Sequence, residues 1–275
     1  MTVPVALSVA GSDSGGGAGL QADIKAFFSC GVHGACAVTS VTYQNTAEVR
    51  GRFDLPPQAV RAQLEAVLDD LFPAAAKTGM LASASIVSEV ASVFRERRVP
   101  NLVVDPVMVS TSGHELLDPE AVERLADELL PLAALVTPNL REAEMLAEMA
   151  ISSAAGLEKA AARILELGPG AVLIKGGHFP EEGAQGESVD HLFTAGGERL
   201  RLTGPRRAHV RLHGSGCVLS ASLAAFLARG FPLAEAARAA KRFVQWAVEG
   251  AMELGRGARP VLPPLYSPPR EGEGR

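Results

Sequence analysis

Short β-rich apolar runs alternate along this chain with amphipathic segments of helical period, and that alternation limits the possible folds more than any other feature. Strands are predicted over Val3 to Ala10, Ala35 to Tyr43, Ala75 to Thr78, Leu102 to Asp105, Leu135 to Thr137 and Ala171 to Lys175. Helices are predicted between them, over Gly17 to Ser29, Pro57 to Phe72, Ser83 to Arg97, Pro119 to Leu130, Leu140 to Met149 and Ala154 to Leu167. Ser83, Asp118 before Pro119, and Asn139 stand where N-caps belong. A strand-rich patch follows, Ser188 to Thr194 and Arg199 to Leu202, and then two helices, Val218 to Arg229 and Leu233 to Glu253. Repeated β-α-β units imply an α/β protein with a mostly parallel central sheet and helices on both faces. No Ser/Gly linker divides the chain and no period of about 20 to 50 residues recurs, so residues 1–262 read as a single domain. Residues 263–275, rich in Pro, Gly and charge, read as a flexible tail.

Composition removes several functional classes. A formal net charge of −5 argues against non-specific nucleic-acid binding, so an anionic substrate must be held by local groups. Three cysteines, Cys30, Cys36 and Cys217, are too few and wrongly spaced for a zinc site or a disulfide framework. No apolar run approaches the roughly 20 residues of a membrane span, and the chain reads as cytoplasmic.

In parallel sheets ligands bind beyond the carboxyl ends of the strands, where this sequence concentrates its polar and glycine-rich segments. His213-Gly214-Ser215-Gly216-Cys217 runs into an apolar helix. Its glycines can aim unpaired N–H groups at an oxyanion, and the helix dipole favours negative charge there. A phosphoryl group in transfer fits such a site. The same position lowers a thiol pKa from about 8.5, making Cys217 a candidate base near neutral pH; a small buried residue at a helix start is the alternative. His213 suits either a phosphate contact or a loop imidazole that satisfies backbone groups.

The loop Gly11-Ser12-Asp13-Ser14-Gly15-Gly16-Gly17-Ala18-Gly19 does not fit G-x-G-x-x-G, because Leu20 stands at the third glycine, and no G-K-[ST] closes it. It reads as a turn that lets backbone approach a small ligand, with Asp23 one helical turn on and facing the same cavity. Asp105 and Glu142 follow strands at this edge, where hard carboxylate oxygens suit Mg²⁺ shared with phosphates. A strand-end cap and a helix-dipole partner are their plainer readings. Lys175 ends an apolar strand and can neutralise a transferring phosphate. The Gln44 amide matches the hydrogen-bonding edge of an aminopyrimidine, and Met80 and Val107 can form apolar walls, although each of the three also suits the core.

Together these segments, in order and with Lys77-Thr78-Gly79-Met80-Leu81 and Lys175-Gly176-Gly177-His178, resemble the hydroxymethylpyrimidine/phosphomethylpyrimidine kinases of thiamin biosynthesis over residues 5–255. The resemblance implies a ribokinase-like fold, use of ATP with Mg²⁺, and two successive phosphorylations of 4-amino-5-hydroxymethyl-2-methylpyrimidine. A homodimer is usual for the family. By the same resemblance Gly11, Asp23, Gln44, Met80 and Val107 would line the pyrimidine site, and Gly214, Ser215, Gly216 and Cys217 the anion hole. Cys217 would be the base, Asp105 and Glu142 would lie near Mg²⁺, and Lys175, Thr194 and Lys241 on the nucleotide side. Ser215 replaces a common threonine, and Arg211-Leu212 replaces the usual Asn-Thr pair. A pyridoxal or pyridoxine kinase of the same superfamily and a non-catalytic nucleotide-binding regulator are the alternatives.

Overall fold

A computed structural model of the chain describes residues 3–108, 119–176, 186–206 and 210–264. The Asp118 cap, Gly177 and His178 after the sixth predicted strand, and most of the predicted tail lie outside the described residues.

In chain order the first half comprises β1 (Val5–Ala10), α1 (Gly19–Ser29), β2 (His33–Val38), β3 (Ser40–Gln44), β4 (Val49–Asp54), α2 (Pro57–Leu68), β5 (Ala75–Thr78), α3 (Ala84–Arg97) and β6 (Leu102–Val104). The second half comprises α4 (Pro119–Arg124), β7 (Leu135–Val136), α5 (Leu140–Ala147), α6 (Ala154–Glu166), β8 (Ala171–Ile174), β9 (Glu187–Thr194), β10 (Arg199–Pro205), β11 (Leu212–His213), α7 (Ser215–Ala228), α8 (Leu233–Glu249) and β12 (Arg259–Pro260). Eight strands form the central sheet in the order β10-β9-β8-β7-β6-β5-β1-β2. The six from β8 to β2 are parallel, and β9 and β10 add an antiparallel margin.

Because successive side chains point to opposite faces, each buried strand feeds two cores. Leu7, Val104, Val136 and Ile174 pack against α2, α3, α5 and α6. Ala6, Val103, Leu135 and Leu173 pack against α1, α7 and α8. The chain crosses from β2 at one side of β1 to β5 at the other, so the order reverses between β1 and β5 and opens a crevice at their carboxyl ends.

The helices predicted to Phe72 and Glu253 end at Leu68 and Glu249, and three further elements differ from expectation. The strand predicted over Ala35 to Tyr43 divides at Thr39, whose N–H donates to the Ala10 carbonyl and whose hydroxyl donates to the Met80 carbonyl. These bonds turn the chain out of the main sheet, and β3 pairs instead with β4 in a separate hairpin. The sequence reading leaves out β4, although Val49, Gly51 and Phe53 alternate there with Arg50, Arg52 and Asp54; none of its residues is fully buried. The helix predicted over Pro119 to Leu130 passes from α4 into a wider turn over Leu125–Leu129 and a tight one over Leu130–Leu132. Pro131 lacks the N–H that would continue it. The helix predicted from Val218 begins at Ser215, which places Ser215, Gly216 and Cys217 in its first turn.

Candidate active site

A cavity of about 850 Å³ runs along the carboxyl edge of the sheet, under the β3–β4 hairpin and across the start of α7. At one end the β1–β5 crevice contributes Gly11 and Met80, joined by Val107, Gln44, Thr42 and Arg52. At the other, Leu219, Val244 and Val248 form an apolar slot beside Lys241 and Gln245. Lys175 and residues 214–217 lie between the two ends.

Local backbone geometry shapes this middle section. Gly214 is the N-cap of α7 with φ +84°, and no side chain caps the helix. A Cβ on Gly214 would lie 1.8 Å from the Gly17 carbonyl oxygen, so only glycine fits. The N–H groups of the first turn are left for a ligand, and the helix dipole adds to their attraction for an anion. Lys175 Nζ is within 3.6 Å of the position a Cβ on Gly216 would take, so the ammonium faces the same space.

Period-two geometry places Ser8, Lys77, Asp105, Thr137 and Lys175 on the α1/α7 face of the sheet, beyond the apolar residues that fill the core below them. The Asp105 carboxylate accepts from Lys175 at 2.9 Å, Thr137 at 3.3 Å and Ser220 at 3.0 Å. Burial pushes its pKa up, but Lys175, Lys77 and these bonds prevail and hold it below the usual carboxylate range. Glu142 closes a capping box with Asn139 and lines the cavity. Burial raises it to about 7 against the pull of Lys175.

The structure brings together Gly11, Gln44, Met80, Val107, Asp105, Glu142, Lys175, Gly214, Ser215, Gly216, Cys217 and Lys241. Two expected residues do not reach the cavity. Asp23 is fully buried beneath it, paired with Lys77 at 2.7 Å and accepting from the Ser8 hydroxyl at 2.6 Å. It stands behind Lys77 and is not among the residues that line the cavity. Thr194 pairs with Ala171 at the amino end of β8, the opposite edge of the sheet, because β9 runs antiparallel. The residues of β9 at the cavity are Ser188 and Asp190, both bonded to Lys241.

The Cys217 thiol also departs from expectation. Burial pushes it up to about 11; Lys77 and the Gly19 N–H pull it down, while Asp23 and Asp105 push it further up. Its helix position is that of an activated thiol, but the cost of a buried anion outweighs the dipole. Lys77, Ser220 and Asp190 are site residues that the sequence reading did not assign. Lys77 is the most informative of them: a lysine inside a buried apolar strand, Ala75 to Thr78, is itself a signal of function. Faced by Asp23, Cys217 and Asp105, it keeps its ammonium form despite complete burial.

Comparison with known proteins agrees with this architecture. Residues 13–262 match the family described as phosphomethylpyrimidine kinase. The hydroxymethylpyrimidine/phosphomethylpyrimidine kinase of Synechococcus elongatus is 47% identical over 263 residues, covering 95% of this chain and 97% of the relative. Phosphomethylpyrimidine kinase of Clostridium difficile superposes with a TM-score of 0.77 at 37% identity, over 90% of this chain and 100% of that one. Pyridoxal kinase of Staphylococcus aureus, solved in complex with AMP-PCP and pyridoxal, superposes with a TM-score of 0.85 at 33% identity, over 95% and 93%. The fold shared with these pyridoxal kinases is ribokinase-like. The chain is a member of the phosphomethylpyrimidine kinase family.

Proposed function

We propose that this protein transfers the γ-phosphoryl group of ATP to 4-amino-5-hydroxymethyl-2-methylpyrimidine and then to the resulting monophosphate, in thiamin biosynthesis. The carrying observation is the uncapped α7 N-terminus beside Lys175, in a cavity that also holds the Gly11 and Met80 recess of the β1–β5 crevice and the apolar residues Leu219, Val244 and Val248. The family and the nucleotide complexes of its structural relatives support the choice of donor.

In this reading the pyrimidine lies against Gly11, Met80 and Val107, with the Gln44 amide on its polar edge and its hydroxymethyl group toward Cys217. The first-turn amides of α7 and the Lys175 ammonium hold the equatorial oxygens of the transferring group, so positioning and charge neutralisation supply most of the rate. The Cys217 thiolate, favoured by Lys77 and the Gly19 N–H, receives the proton of the acceptor hydroxyl. The second acceptor is a phosphate monoester, whose second pKa of about 6 leaves it largely dianionic and without need of a base.

Asp105 and Glu142 fit Mg²⁺ as a pair of carboxylates that share the ion with nucleotide phosphates; no closed cage of three or more ligands forms among the described residues. Bound there, the ion would offset phosphate charge. We also place the protein in the cytoplasm and read it as a homodimer on the family resemblance; among the described residues no helix is long and apolar enough to cross a membrane. Sedimentation velocity tests the dimer.

The deciding experiment supplies ATP and Mg²⁺ with hydroxymethylpyrimidine, its monophosphate or pyridoxine, and resolves monophosphate from diphosphate products. Turnover of both pyrimidines is expected. Turnover of pyridoxine alone would reassign the protein as a pyridoxine kinase, and nucleotide binding without turnover would make it a regulator.

A further inference from the structure

The Asp13–His213 pair joins two parts of the site that are 200 residues apart in sequence. Asp13 is 1% exposed, and its carboxylate accepts from the N–H groups of Gly15 at 2.7 Å, Gly17 at 2.9 Å and Ala18 at 2.7 Å. It therefore organises the whole glycine-rich turn into α1. The fourth donor is His213 Nε2, 2.9 Å from Asp13 Oδ2. Hydrogen bonds from three amides and the imidazole hold the Asp13 carboxyl below its usual range, although burial alone would raise it. The carboxylate is thus the acceptor, and Nε2–H the donor.

His213 immediately precedes the α7 N-cap and is braced from behind, since its carbonyl accepts from the Val261 N–H of the C-terminal segment at 3.1 Å. The two loops touch directly. A Cβ on Gly17 would lie 2.6 Å from the His213 ring, so the glycine permits the close approach.

We propose that Asp13 and His213 are positioning residues that latch the α1 turn, which shapes the acceptor recess, to the α7 N-terminus, which shapes the phosphoryl site. The proposal rests on the kinase reading above. With Nε2 committed to Asp13, His213 is assigned to the alignment of the two loops. In-line transfer depends on that alignment, and a displacement near 1 Å can cost about 10²-fold in rate.

The test compares wild type with His213→Ala, His213→Gln and Asp13→Asn. Three readouts are taken: kcat and KM for ATP and for each pyrimidine acceptor, thermal unfolding, and amide hydrogen exchange by mass spectrometry. His213→Ala should lower kcat about 10²-fold with both acceptors and leave KM for ATP little changed. Exchange should accelerate together in the segments containing residues 13–19 and 213–218. Glutamine, which can present an N–H in place of Nε2, should restore most of both effects, whereas Asp13→Asn should lower kcat as His213→Ala does. A rise in KM for ATP at unchanged kcat would assign His213 to phosphate binding and overturn the latch. So would accelerated exchange confined to residues 213–218, exchange that rises throughout the chain as the melting temperature falls, or failure of glutamine to rescue. If wild type turns over neither pyrimidine, the kinase reading falls while the exchange data still judge the latch.

Discussion

The two faces of the central sheet are made from the same strands and differ in where their apolar character ends. On the α2, α3, α5 and α6 face, buried aliphatic residues continue to the carboxyl ends of β1, β6, β7 and β8 with Val9, Val104, Val136 and Ile174, and only β5 ends there in a polar residue, Thr78. On the α1, α7 and α8 face the aliphatic layer of Ala6, Ala75, Val103, Leu135 and Leu173 gives way one position later on that face to Ser8, Lys77, Asp105, Thr137 and Lys175. One face is devoted to stability. The other builds its chemistry on top of a core, where burial strengthens every charge interaction and makes every unpaired charge costly.

Lys77→Met breaks this contrast most severely. It strands the Asp23 carboxylate at zero exposure and should destabilise the fold by about 3–5 kcal/mol. Denaturant titration measures the loss, and adding Asp23→Leu should recover most of it, because removing both charges leaves no unpaired ion. Lys175→Ala should separate activity from stability: Asp105 keeps Ser220 and Thr137, while kcat falls about 10²–10³-fold in a steady-state assay. Leu7→Ala, on the opposite face, sharpens the comparison from the other side. It should cost about 3 kcal/mol in the same titration and leave kcat near that of wild type.

The smallest effect concerns proton transfer. With the Cys217 thiol near 11, its thiolate fraction grows about tenfold per pH unit in the neutral to mildly alkaline range, since the group lies below its pKa throughout. Turnover of the alcohol acceptor should rise accordingly, while turnover of the monophosphate stays nearly level. Equal pH profiles for the two acceptors would remove Cys217 from the base role.

Much of the site was legible in the chain because strand-end residues are read from local pattern. The segments after β1, β5, β6, β7 and β8 each carry polar or glycine residues, and the edge rule for parallel sheets collects them in one place. Asp23 and Thr194 were misplaced for geometric reasons. Helical spacing alone did not reveal that Asp23 points beneath the recess toward Lys77, and the amino-end position of Thr194 depends on β9 being antiparallel.

The sequence by itself determined the alternation of strands and helices and the mostly parallel sheet with helices on both faces. These follow from periodicity and backbone sterics, which act over a few residues. Only the tertiary structure decided that Thr39 turns the chain out of the sheet and that Lys77 and Asp23 pair in the interior. It also decided that His213 joins Asp13 and that burial raises the Cys217 thiol. Each of these depends on groups brought together from distant parts of the chain, and on how much water their packing excludes.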